Sequence, residues 1–117
     1  MNKILTTHDV KLTRAIENHI FRRIEKLEHL DHFATAARVT LEHDDTKAPE
    51  RQFACSIRLS LPGPDIFAED VESDLYAAID LVVKKVEQQL RTRHNKYKAL
   101  NHKVAARSTR TRQEKET

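Results

Sequence analysis

The chain has 117 residues, a formal net charge of +3 and a single cysteine, Cys55. That length holds one domain with a single two-layer core, and one thiol excludes an intramolecular disulfide and fits a reducing compartment. No apolar run approaches the ~20 residues needed to span a bilayer, and the start Met-Asn-Lys-Ile-Leu turns polar at once, so a cytoplasmic protein without signal peptide is expected.

A β-prone run over 3–8 opens the chain. Thr13 can cap a helix that follows it, because its hydroxyl accepts from free backbone N–H groups of the first turn. Ile16, Ile20, Ile24 and Leu27 recur at helical spacing, and the helix is expected to stop near Leu30–His32. A second strand is read over Ala34–Leu41, with Ala37, Val39 and Leu41 on one side and Arg38 and Thr40 on the other. The polar segment Glu42–Glu50, with Pro49, reads as a loop.

The clearest strand comes next. Phe53, Cys55, Ile57, Leu59 and Leu61 share one face, while Gln52, Ser56, Arg58 and Ser60 share the other, so one face is buried and one meets water. The same alternation makes Cys55 a buried structural thiol and gives Phe53 a core role. Pro62-Gly63-Pro64-Asp65 is a turn holding the only glycine, and Ile66–Val71 returns from it as a hairpin partner. A second helix starts at Ser73 or Asp74, with Leu75, Ile79, Val82, Val86 and Leu90 as its buried stripe. The apolar period stops beyond about Leu100. The order β-α-β-β-β-α predicts an α+β fold, a four-stranded sheet with both helices on its one apolar face. The domain spans 1–100, followed by a basic, flexible tail over 101–117.

Charge is distributed unevenly. From Lys84 to Arg112 ten basic residues face one acid, Glu87, whereas ten acids between Glu42 and Asp80 oppose only Lys47, Arg51 and Arg58. A solvated helix face ordinarily mixes signs, so this asymmetry points to a polyanionic partner, nucleic acid above all. Opposite the buried stripe of the second helix lie Lys84, Gln88, Arg91, Asn95 and Lys98, with Lys85, Gln89 and Lys96 on one flank. Asp80, one turn before Lys84, is placed to pair with it. The first helix adds His19, Arg22, Arg23 and Lys26. No helix-turn-helix spacing or zinc framework is present, so phosphate-directed contact with folded RNA suits the pattern better than base reading. Membrane binding needs an exposed apolar face that the sheet already claims.

Catalytic signatures are missing. His29-x-x-His32 lacks further ligands at metal-site spacing, Asp44-Asp45 sits in a polar loop, and one glycine cannot build a phosphate cradle. Neither an enzyme nor a metal or cofactor is expected.

Asp74-Leu75-Tyr76-Ala77-Ala78-Ile79-Asp80, followed by Lys85, Gln89 and Leu90, resembles the signature of the ribosome hibernation-promoting factor and ribosome-associated inhibitor family, also called the sigma-factor modulation proteins. Val10-x-Leu12-Thr13, Arg23 and Lys26-Leu27-Glu28 agree, and the resemblance spans about residues 2–98. It implies a fold similar to a double-stranded-RNA-binding domain with an added first strand. It also implies a partner, the small ribosomal subunit within 70S ribosomes, held in the channel used by mRNA and tRNA so that translation stops by occupancy. The rRNA-facing residues it implies are Arg23, Lys26, Lys85, Gln89, Arg93 and Lys96, and the exposed cations Arg22, Lys84 and Arg91 complete the expected surface. Asp74 is expected to cap the helix and Tyr76 to pack. Glu17 and Gln88 stand where relatives often carry arginine, with Arg22 and Lys84 as compensating cations. Long members carry a second, dimerising domain; this chain reads as a short form, monomeric off the ribosome. One short subtype has an acidic tail, whereas Lys103–Arg112 is basic. The competing expectation is a protein-interaction regulator, such as a sigma-factor modulator, whose basic helix meets an acidic protein.

Overall fold

The structure, a computed structural model, describes residues 1–96 with their side chains; the tail expected over 101–117 and the crest residue Lys98 lie outside that range. The elements are β1 (Asn2–His8), α1 (Arg14–Leu30), β2 (Ala36–His43), a 3₁₀ turn (Pro49–Arg51), β3 (Phe53–Ser60), β4 (Ile66–Glu72) and α2 (Leu75–Glu116). This is the expected β-α-β-β-β-α order. The strands lie in the order β1-β2-β3-β4, so β1 and β4 are the edges. β1 runs parallel to β2, with Leu5 opposite Val39, and α1 is the crossover that such a pair requires. β2–β3 and β3–β4 are antiparallel.

α1 starts where its cap predicts: the Thr13 hydroxyl accepts from the backbone N–H of Ile16 at 3.2 Å. Asp74 plays the same part for α2, accepting from the N–H of Ala77 at 3.1 Å. Strand and helix periods then set the core. Ile16, Ile20, Ile24 and Leu27 of α1 meet Leu75, Ile79, Val82, Val86 and Leu90 of α2 over Ala37, Val39, Leu41, Cys55, Ile57 and Leu59 of the sheet, all buried. A fully buried Leu or Ile contributes about 1.5–3 kcal/mol, several times an exposed ion pair, so these stripes decide which way each helix turns. The other sheet face carries exposed Arg38, Glu42, Arg58, Phe67 and Glu69. Phe53 packs at the core margin and stacks on His43 at 4.4 Å, whereas Phe67 lies open beneath Arg58 at 5.1 Å.

Burial pushes the Cys55 thiol up to about 12, with Asp70 adding to the shift. A thiol held neutral in this way packs as a small apolar group.

Candidate nucleic-acid interface

α2 presents four strips, and each has a different neighbour. Its apolar stripe faces the sheet. One flank faces α1, the opposite flank faces β4, and the remaining crest points to solvent.

The α1 flank is tied by charge. His19 Nε2 donates to Asp80 Oδ1 at 2.8 Å, and Arg23 Nε lies 3.1 Å from the same oxygen. Lys26 is 3.9 Å from Glu87, and His94 Nε2 donates to Asp31 at 3.1 Å. Tyr76 packs edge-on to the His19 ring, at 5.1 Å between centroids. The sequence predicts an Asp80–Lys84 pair within α2; the structure turns Asp80 across to α1 instead. A two-donor site on the neighbouring helix gives that carboxylate more than a single exposed pair one turn away.

The β4 flank is tied by hydrogen bonds to backbone. Lys85 Nζ donates to the Glu69 carbonyl at 2.9 Å and lies 3.7 Å from the Asp70 carboxylate. Gln89 Nε2 donates to the Phe67 carbonyl at 3.0 Å. Arg93 donates from Nη1 to the Pro64 carbonyl at 2.7 Å and from Nη2 to the Pro62 carbonyl at 2.9 Å. A groove of about 630 Å³ runs along this flank between α2 and β4, with Gln88, Thr92 and Lys96 on its outer lip.

The crest is left with its charge unbalanced. Among the described residues, no ion pair involves Lys84, Arg91, Lys96 or the α1 cation Arg22, and all four are exposed. The nine cationic or polar residues expected at an RNA surface thus divide: Arg23 and Lys26 bridge the helices, Lys85, Gln89 and Arg93 engage β4, and Arg22, Lys84, Arg91 and Lys96 stand free. Sequence reasoning did not anticipate Asp31–His94 or Asp80 as a tie between helices; both join residues more than 60 apart in the chain, beyond the reach of local spacing.

Charge is also uneven along the strand axis, although Lys47 and Arg51 stand among the acids of one end. Asp9, Asp44, Asp45, Glu50, Glu72 and Asp74 gather at the end where β1 and β4 finish and α2 begins. Asp44 accepts the Thr46 hydroxyl and backbone N–H there, which holds its carboxyl below the usual value. Arg38, Arg58, Arg91, Arg93 and Lys96 lie toward the opposite end, beside the Pro62–Asp65 turn. Among the described residues no group of three or more His, Cys, Asp or Glu side chains is placed to hold a metal, and no helix is long and apolar enough to cross a membrane.

The β-α-β-β-β-α order, with both helices packed on one face of a four-stranded sheet, defines a small α+β domain. The sequence model of the family described as Sigma 54 modulation protein / S30EA ribosomal protein matches residues 4–98, and the chain belongs to that family. It is 32% identical over 93 residues to a ribosome hibernation promotion factor of Deinococcus radiodurans, covering 80% of this chain and 49% of the relative. It is 26% identical over 99 residues to a ribosome hibernation promoting factor of Pseudomonas putida, covering 84% of this chain and 91% of that one. The chain thus spans about half the length of the Deinococcus relative and most of the Pseudomonas one. Among solved structures, the Thermus thermophilus Protein Y N-terminal domain matches with a TM-score of 0.66 at 29% identity, covering 79% of this chain and 98% of that one. A ribosomal subunit interface protein from Coxiella burnetii shares the fold, with a TM-score of 0.68 at 21% identity over 85% of this chain and 99% of that one.

Proposed function

We propose that this chain is a ribosome-associated translation inhibitor that binds rRNA of the small subunit in the decoding channel of 70S ribosomes. The observation that carries this reading is a set of exposed cations without acid partners among the described residues: Lys84 and Arg91 on the crest of α2, Lys96 at the lip of the β4 groove and Arg22 on α1. Cations left unpaired on a helix flanked by two sets of satisfied contacts are free to replace counterions on phosphate. Arg23 and Lys26 sit at the margin of that surface, where phosphate can compete with Asp80 and Glu87 for them. Nothing in the arrangement calls for chemistry. A body seated where mRNA and tRNA pass blocks both by occupancy and keeps idle ribosomes inactive in the cytoplasm. The names of the hibernation factors to which the chain is similar support the same partner.

The test is sedimentation of the purified chain with 70S ribosomes, paired with in vitro translation. Wild-type protein is expected to co-migrate with the particles, to leave them as salt is raised, and to inhibit translation. The Lys84→Glu/Arg91→Glu/Lys96→Glu variant is expected to lose both properties while its Tm moves by no more than a few degrees, since exposed charges contribute little to stability. Unaltered binding by that variant would overturn the proposed surface. Migration of wild-type protein with RNA polymerase, and not with ribosomes, would overturn the function in favour of a sigma-factor modulator.

A further inference from the structure

β4 is an edge strand, and such an edge exposes backbone carbonyl and N–H groups that can template another strand. Here it is not left open. Lys85, Gln89 and Arg93 follow one another at four-residue intervals along α2, and their acceptors are the carbonyls of Glu69, Phe67 and then the turn residues Pro64 and Pro62. Four helical residues rise about 6 Å, while two residues of an antiparallel strand rise about 6.8 Å. Because α2 runs back along β4, the step from Lys85 to Gln89 matches the two-residue step from the Glu69 to the Phe67 carbonyl, and the next step carries Arg93 past the strand end onto the turn. The last step lands on the carbonyls that flank the only glycine in the chain, Gly63. A Cβ at Gly63 would sit 2.9 Å from Arg93 Nη2, so the missing side chain makes room for the guanidinium.

The middle rung decides what the row is for. Gln89 is neutral and adds no Coulomb attraction to a row of phosphate ligands, but a carbonyl needs an N–H donor whatever its charge. The outer rungs match: Arg93 Nη1 and Nη2 each donate to a backbone carbonyl, and Lys85 is also held by Asp70. We infer that Lys85, Gln89 and Arg93 are positioning residues: a helix-to-edge ladder that caps carbonyls of the β4 edge and its turn and fixes the azimuth of α2, so that Lys84 and Arg91 face outward. The division of labour between ladder and crest rests on the ribosome reading above; the ladder itself does not.

Two measurements separate these roles. Amide hydrogen exchange across β4 reads the ladder with no ribosome present. The slope of log K against log[salt] for ribosome binding counts phosphate contacts, and losing one lowers it by about one. Lys85→Met and Gln89→Leu are expected to speed β4 exchange about tenfold and to leave the slope unchanged, with Lys85→Arg restoring slow exchange. Lys84→Met, one residue away on the crest, is expected to lower the slope by about one and to leave β4 exchange alone. Gln89→Lys keeps a donor for Phe67 and so is expected to change neither; as a phosphate ligand it would raise the slope by about one. A slope lowered by Lys85→Met with β4 exchange unaffected overturns the inference. If wild-type protein fails to bind ribosomes at all, the proposed function falls, and the exchange rates of the same variants still decide the ladder.

Discussion

Replacing Asp80 with alanine removes the two-donor tie to His19 and Arg23, one of three electrostatic links described along the α1–α2 flank, without entering the core. Asp80 Oδ1 accepts from His19 at 2.8 Å and Arg23 at 3.1 Å. Hydrogen bonds to charged groups contribute about 1.5–3 kcal/mol each when sheltered, and exposed ion pairs about 0.2–1 kcal/mol. The Asp80 side chain is 43% exposed, Arg23 39% and His19 26%, so the lower range governs. Both contacts together then contribute about 0.4–2 kcal/mol. For a domain near this size that corresponds to a fall in Tm of roughly 2–10 °C. Thermal unfolding followed by circular dichroism at low and high salt is the assay. Asp80→Asn, which keeps an acceptor oxygen and loses the charge, is expected to fall about halfway. The double variant Asp80→Ala/Arg23→Ala is expected to be less damaging than the sum of its parts, because the two changes delete one shared interaction. A Tm for Asp80→Ala within a degree of wild type would refute the tie. A loss beyond about 4 kcal/mol would refute the claim that it lies outside the core.

Gly63 has φ of +86°, a conformation that costs a side-chain-bearing residue about 1–2 kcal/mol; Gly63→Ala is expected to lower the urea midpoint accordingly and to displace the Arg93 guanidinium. The Cys55 thiol, raised to about 12 in the fold against 9.0 for a free thiol, adds stability that is fully present below pH 9. Above that pH the unfolded thiol ionises and the folded one does not, so stability is lost by about 1.4 kcal/mol per pH unit up to the folded value. Cys55→Ala should lack this component, and the difference between the two proteins' pH–stability curves between pH 8 and 10.5 measures it.

Both helix stripes, the five-residue alternation of the third strand and the Gly63 turn were legible because each is a local period: burial on one face repeats every 3.6 or every 2 residues. Thr13 and Asp74 were legible as caps for the same reason. Element ends moved by a residue or two; β2 begins at Ala36, where pairing with Ser60 begins, and not at Ala34. What periodicity could not supply was the neighbour of each helix flank. A helical projection separates Lys84 from Lys85, but only the strand order shows that Lys85 looks onto an edge strand and Asp80 onto α1. Lys85 and Gln89 looked like members of a cationic surface because sequence records a side chain's charge and not whether a carbonyl waits within 3 Å.

Among the described residues, the excess of acids toward one end of the strands and of bases toward the other gives an electric moment along the strand axis. In the field of a polyanion such a body feels a torque at separations where no contact exists, and it arrives base-end first. Added electrolyte shortens that reach to about a nanometre near physiological strength. The arrival rate is therefore expected to drop at modest salt, before the lifetime of the assembled complex begins to shorten.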